Sequence, residues 1–228
     1  MKRLFFTLAT IVLIINTVAG QDDFRKVETF NRNTWKWDEV AEKHKSATIQ
    51  DGFLVLYVDK LYKTKKPLEI TTRFPVNVQR NFKITYKVVF PALSQQTSTL
   101  GIIFNKTDYG KSVLKISENL FEIVNSDNSG KNIKTESKIK IPLKGGKDVP
   151  VTITIEKKGA NLIFSVNGMK IYEAQKELQS SEWGFSLQSG KAKGGAMFMG
   201  GIIGQVISGD AKVMIDEIII DQVEAEDN

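Results

Sequence analysis

From residue 46 onward the chain alternates. Phe82-Lys83-Ile84-Thr85-Tyr86-Lys87-Val88 places an apolar side chain at every second position, the period of a strand with one buried face. Val151-Thr152-Ile153-Thr154-Ile155-Glu156 repeats the pattern, and Leu162, Phe164 and Val166 carry it through the next run. Between them Lys157-Lys158-Gly159-Ala160-Asn161 is a hairpin-sized connection. Asn167-Gly168 supplies a two-residue turn whose central positions favour positive φ, and Asp51-Gly52 does the same before Phe53–Val58. Further strand-like runs cover 68–74, 100–104, 113–116, 120–124, 183–187 and 213–220. About a dozen short strands with turns every 8–12 residues or so predict an all-β sandwich or barrel. Helix is scarce: 35–45 and 174–180 are the stretches with room for a turn or two. No linker or composition shift divides residues 21–228, so one domain is expected.

Two segments leave the pattern. Met1-Lys2-Arg3 is a short basic start, Leu4–Ile15 is apolar apart from two threonines, and Val18-Ala19-Gly20 ends in small residues before Gln21. That order is the one of a secretory signal peptide over 1–20, and its apolar run is shorter than the ~20 residues that span a bilayer. The second segment, residues 194–209 (GGAMFMGGIIGQVISG), holds six glycines and no charge. It is too short and too glycine-rich for a membrane helix, and it lacks the Gly-Lys-Ser/Thr ending of a phosphate loop. Two readings stay open for it. It folds back as a Gly-hinged hairpin or loop packed on the sandwich, or it presents Met197, Phe198, Met199, Ile202 and Ile203 as an apolar lip to a protein partner, a ligand or a lipid surface.

Composition then narrows the chemistry. With Lys2 and Arg3 removed, thirty basic against twenty-six acidic side chains leave a net charge of +4. The densest basic stretch, Lys131 to Lys147, has no interleaved aromatic ring, so it reads as a solvated edge or loop and no nucleic-acid partner is expected. The chain has no cysteine, which excludes thiol nucleophiles, zinc–thiolate sites, disulfides and lipid attachment at cysteine. Cysteine-free export to the periplasm or exterior suits a bacterial envelope protein better than an animal extracellular module. The lone histidine, His44, sits in Glu42-Lys43-His44-Lys45, a polar surface context, and Gly184-Phe185-Ser186-Leu187-Gln188 lacks the closing glycine of a nucleophile elbow.

The order of the pieces carries a resemblance. Trp35 and Trp37 come first, then Gln50-Asp-Gly-Phe-Leu, Asn81-Phe-Lys-Ile-Thr-Tyr and Leu100-Gly-Ile-Ile-Phe-Asn-Lys-Thr-Asp-Tyr. Leu162-Ile-Phe-Ser-Val-Asn-Gly, Trp183-Gly-Phe-Ser-Leu-Gln and Val213-Met-Ile-Asp-Glu-Ile-Ile-Ile follow. This resembles the concanavalin A-like lectin/glucanase jelly rolls, particularly the branch with LamG-type and 3-keto-disaccharide hydrolase domains. The resemblance spans residues 24–223 apart from 190–209. The closing strand of those hydrolases usually reads Arg-Asn-Ile, where this chain has Asp216-Glu217-Ile218, and the Gly/Met-rich insertion is foreign to their pattern.

The resemblance implies a jelly-roll sandwich and sugar recognition. Glycosidases of this fold carry paired carboxylates on one strand as Glu-x-Asp-x-Glu or Glu-x-Asp-x-x-Glu, a spacing absent here. Asp216 is the one carboxylate the pattern offers as an inward acid, and a buried Asp tying down a neighbouring loop explains it as well. Calcium would draw on Asp108 beside Asn105, or on Asp127 beside Asn125 and Asn128; neither supplies enough carboxylate, so no metal or cofactor is expected. For stacking on a sugar, Tyr62 and Tyr109 stand in polar loop contexts, with Trp35 and Trp37 as further candidates. The expectation is an exported, non-catalytic carbohydrate- or surface-binding module whose partner is a glycan or cell-surface polymer. A glycoside-cleaving enzyme and an envelope protein-interaction domain are the rivals.

Overall fold

The computed structural model describes residues 24–60, 67–91, 98–117, 120–129, 132–140, 149–189, 191–198 and 201–222; for the segments 191–198 and 201–208 it describes the backbone alone. The signal-peptide segment, Tyr62 and Met199 lie outside these residues. In chain order the strands are β1 (Phe24–Glu28), β2 (Val40–Glu42), β3 (Lys45–Gln50), β4 (Phe53–Val58), β5 (Leu68–Arg73) and β6 (Phe82–Val89). Then come β7 (Ser98–Phe104), β8 (Lys111–Ser117), β9 (Leu120–Ser126), β10 (Ile133–Ile139), β11 (Val151–Lys158) and β12 (Asn161–Val166). The last are β13 (Met169–Gln175), β14 (Glu182–Ser189), β15 (Lys191–Phe198), β16 (Gly201–Ser208) and β17 (Ala211–Gln222).

Two antiparallel sheets make the sandwich. A nine-stranded sheet runs β13-β12-β11-β6-β17-β4-β3-β2, with β1 also on β17, and a six-stranded sheet runs β10-β9-β8-β7-β14-β5. The core lies between them, where the alternating positions read from the sequence converge: Ile84, Tyr86 and Val88 of β6, Ile153 and Ile155 of β11, and Leu162, Phe164 and Val166 of β12 are all buried. At its centre is an aromatic stack. Trp183 lies face to face with Phe74 (5.7 Å between ring centres) and edge-on to Phe82 (5.9 Å), while Trp37 stacks on Phe185 at 5.4 Å. Both predicted two-residue turns form: Asp51 and Gly52 have φ of 53° and 78°, Asn167 and Gly168 of 48° and 79°.

Three sequence expectations are corrected. Neither stretch expected to allow helix is helical; 35–45 is a turn followed by β2 and the start of β3, and 174–180 finishes β13 and crosses to β14. The reason at the first is a contact from outside the stretch. Buried Glu28 accepts backbone N–H groups of Trp35 (2.8 Å) and Phe30 (3.3 Å), and Lys36 takes a φ of 56°, outside the helical region. Lys157 and Lys158 belong to β11 and not to the following connection, which shrinks to Gly159 and Ala160. Finally, Asp216 does not point into the core. The pairing of β17 with β6 slips between Ile215 and Glu217, so inward positions run Val213, Ile215, then Ile218 and Ile220, and Asp216 is left half-buried in the bulge.

The uncharged insertion is a hairpin of its own. β15 pairs with β16 from Lys191↔Ser208 to Phe198↔Gly201, as a two-stranded sheet that joins neither layer. The placement of its side chains, and so of the apolar lip, lies outside the described residues. Its base is closed where Ser189 Oγ donates to the Gly209 carbonyl at 2.8 Å, at the crossing from one layer to the other. Because no ladder of the sandwich passes through it, replacing 192–207 by Asn-Gly is expected to shift Tm by less than about 3 °C, or ~1 kcal/mol for a domain of this size. A drop beyond about 10 °C in a thermal melt would mean that the hairpin packs on the sandwich and supports it.

Candidate functional site

The outward positions of the six-stranded sheet gather its unused polar side chains. One row across the sheet is Thr71–Gly184–Ile103–Val113–Val124; the next is Glu69–Ser186–Gly101–Lys115–Glu122. Lys111 lies one row beyond Val113 on the other side. On a flat sheet the Cα atoms of Lys111 and Glu69 would be about 20 Å apart, three strand spacings across and four residues along. Their side chains nevertheless form an ion pair, with both largely buried. Along this diagonal the sheet therefore curls toward this face, which is concave in that direction, and the Lys111–Glu69 bridge passes over the Gly184–Ile103–Val113 row. That accounts for the burial of Ile103 and Val113 although they face away from the core, since the methylene stem of a lysine covers apolar surface while its ammonium pairs; Val124, one strand further on β9, clusters with them.

Glycines make the concave surface fit. A Cβ on Gly101 would sit 2.2 Å from Ser186 Oγ and 2.8 Å from Val113 Cγ1, and one on Gly184 would sit 2.0 Å from the Ile70 carbonyl oxygen. Beside Gly184, Glu182 Oε1 accepts from Lys106 Nζ at 2.6 Å and from Thr71 Oγ1 at 2.8 Å. Lys106 Nζ also donates to Thr71 Oγ1 at 3.1 Å, closing a triangle. Burial alone would raise the Glu182 pKa, but the Lys106 and Thr71 hydrogen bonds and the charges of Lys106 and Arg73 outweigh it and hold the carboxyl below its ordinary range. Glu182 is thus a fixed anion and a poor proton donor.

Tyr109 stands at the rim of this face, on the loop between β7 and β8, and is 91% exposed. The loop is held on several sides. Thr107 N–H donates to the Gly110 carbonyl (2.8 Å), Asn128 Nδ2 donates to the carbonyls of Thr107 and Asp108 (2.8 Å each), and Asn105 Oδ1 accepts the N–H groups of Gln179 and Ser180. Tyr109 is therefore a large exposed ring on a braced loop.

The other sequence candidates are placed differently. Trp37 is buried, and Trp35 is half-buried against Phe74 at 5.1 Å, so both are packing groups. Asp127 accepts from Ser129 Oγ (2.7 Å) and Asn132 Nδ2 (2.6 Å), the chemistry of a turn. Asp108 stands in the Tyr109 loop, and among the described residues no three acidic or histidine side chains cluster as a metal site. Asp216 lies on the other sheet, away from the concave face. His44 pairs with Asp59 at 3.1 Å. The basic stretch from Lys131 falls partly on β10, the edge of the six-stranded sheet. What sequence reasoning missed is the set Glu69, Thr71, Lys106, Lys111 and Glu182. The signal for it was the polar positions alternating with Leu68, Ile70, Trp183 and Phe185, but only strand order brings them together.

No family model and no curated protein sequence matches the chain. Solved structures do. The catalytic domain of an endo-1,3-β-glucanase (laminarinase) from Thermotoga petrophila RKU-1 is similar with a TM-score of 0.56 at 10% identity, covering 90% of this chain and 100% of that one. The endo-β-1,3-glucanase of Pyrococcus furiosus gives 0.56 at 10% identity, covering 88% and 94%. The CBM2 module of the evolved Dit protein of Lactobacillus casei BL23 phage J-1 gives 0.50 at 11%, covering 90% and 98%. At such identities the likeness establishes architecture: this chain has the concanavalin A-like lectin/glucanase jelly roll.

Proposed function

We propose that the protein is an exported, non-catalytic carbohydrate-binding module that holds a saccharide on the concave outer face of its six-stranded sheet, with Tyr109 stacking on a sugar ring at the rim. The observation that carries this reading is the state of the carboxylates on that face. A retaining or inverting glycosidase needs two carboxyls facing one bond, one of them kept protonated as the acid. Here the carboxylates come from three strands, Glu69 on β5, Glu182 on β14 and Glu122 on β9; Glu69 and Glu182 are each tied to a lysine, Glu182 is held ionised, and Glu122 accepts from Thr135 Oγ1 at 3.4 Å. Fixed ion pairs and hydroxyls of this kind suit hydrogen bonding to sugar hydroxyls without bond cleavage. Sugar-related proteins among those sharing the fold, including endo-1,3-β-glucanases and a carbohydrate-binding module, support a glycan as the ligand. The N-terminal pattern of residues 1–20 supports export, and no helix among the described residues is long and apolar enough to cross a membrane.

The test is a glycan array followed by calorimetry with β-1,3-glucan oligosaccharides on the chain from Gln21. Tyr109→Ala is expected to weaken binding about 5- to 10-fold, the loss of one stacking contact of about 1 kcal/mol, while Tyr109→Phe keeps most of it. Equal affinity in Tyr109→Ala would move the site away from this rim. Release of reducing ends by the wild-type protein would overturn the non-catalytic reading.

A further inference from the structure

β11 carries an inward lysine. Val151, Ile153 and Ile155 point into the core, and Lys157 is the next residue of that alternation; it is 9% exposed. Its ammonium donates to the Gln79 carbonyl at 3.1 Å. An ammonium has three hydrogens to place and a charge to balance, and buried charges are ordinarily paired. Among the described residues no carboxylate lies within ion-pair distance of Lys157. The neighbouring charges are otherwise engaged or on the rim. Lys158 pairs with Glu156 at 3.0 Å, Lys176 with Glu136 at 2.9 Å and Asn125 Oδ1 at 2.7 Å, and Glu177 is exposed.

Lys157 lines a cavity of about 290 Å³ at this end of the sandwich, together with Gln79, Gln175, Lys176, Glu177, Leu178 and the Gly159-Ala160 turn. The volume is near the lower bound for small-molecule sites, and the lining combines the buried Lys157, the Glu136-paired Lys176, the exposed Glu177, side-chain amides and a leucine. We infer that this cavity is a second binding site, specific for an oxyanion carried on a group of monosaccharide size, such as the carboxylate of a uronic acid or a sulfate ester on a sugar. The anion pairs with Lys157, and the carboxamide of Gln175 and that of Gln79, whose Nε2 also donates to the Leu178 carbonyl at 3.0 Å, serve ring hydroxyls. The inference does not rest on the concave-face reading, because the cavity shares no residue with that face.

Titration of the chain from Gln21 with glucuronate, glucose 6-sulfate, glucose and inorganic sulfate, followed by amide chemical shifts, tests it. Glucuronate or the sulfated sugar is expected to bind and to shift Gly159 and Ala160, with glucose at least tenfold weaker. Lys157→Met removes that binding by tenfold or more, whereas Lys158→Met and Tyr109→Ala leave it unchanged. Should Lys157→Met lose its native circular-dichroism spectrum, Lys157→Gln takes its place, and the wild-type shift map stands as an independent readout. The inference is overturned if glucose binds as well as glucuronate, if the Lys157 variant binds as the wild type does, if the shifts fall away from Gly159 and Ala160, or if inorganic sulfate binds and neither acidic sugar does.

Discussion

Trp183→Ala is expected to destabilise the sandwich by about 4 kcal/mol, within the range of about 3–5 for large aromatic-to-alanine changes in cores. Trp183 is fully buried and touches Phe74, Phe82 and Phe104, so its removal opens a cavity walled by rings from β6, β7 and the link after β5. Those rings belong to both layers, and the cavity cannot close without moving one sheet against the other. The indole Nε1 has no hydrogen-bond partner, so the loss is one of packing. Trp183→Phe, which keeps a ring and discards the unpartnered N–H, should therefore recover more than half of it. Urea unfolding followed by circular dichroism checks both variants. A loss under about 1 kcal/mol for the alanine variant would contradict the aromatic stack as the centre of the core.

The next residue, on the opposite face of the same strand, fails for the opposite reason. Gly184→Ala adds a single carbon, yet that carbon would lie 2.0 Å from the Ile70 carbonyl oxygen and 2.8 Å from Thr71 Cα. Both contacts are backbone of β5, so no side-chain rotation relieves them, and β5 must separate from β14. Overpacking costs of about 1–3 kcal/mol are usual, and the backbone contact places this variant near 3, or roughly 6–12 °C in Tm. The same displacement pulls Thr71 and Glu69 away from Lys106 and Lys111, so saccharide binding on the concave face should weaken with stability. Gly159→Ala is the control: Gly159 has no atom within 4 Å of the added carbon, and its cost is confined to a φ of 57°. Equal Tm values for Gly184→Ala and the wild type would show that β5 does not pair as described.

The fold was legible because it rests on a local signal. The alternation in Phe82–Val88, Val151–Glu156 and Leu162–Val166 marks which side chains are inward whatever the strand order is, and Asp51-Gly52 and Asn167-Gly168 mark turns by their own backbone preferences. Where the local signal failed, a longer-range contact had overridden it. Residues 35–45 look able to form a helical turn until Glu28, seven residues before Trp35, takes the Trp35 N–H. Asp216 looks inward until the pairing partner of β17 imposes a bulge. Lys157 looks like a loop residue until β11 is extended by its pairing with Phe82 and Leu162.

The candidate site divides along the same line. Tyr109 was visible in the sequence, because a tyrosine between Asp108 and Gly110 stands in turn chemistry and has no strand alternation to bury it. Glu69, Lys111, Lys106 and Glu182 were not visible as a group. They stand on β5, β8, the β7–β8 loop and β14, up to 113 positions apart in the chain, and only the order β8-β7-β14-β5 and the inward curl of that sheet join them. By itself, then, the sequence determined that this is a cysteine-free, all-β sandwich with an uncharged insertion, and it placed Tyr62 and Tyr109 in polar loop contexts. Side-chain periodicity and turn preference act over a few residues and need no partner. Tertiary structure alone decided which carboxylates are neutralised, which lysine is left buried at a cavity, and that the insertion stands as a separate hairpin, because each of these depends on which strand lies next to which.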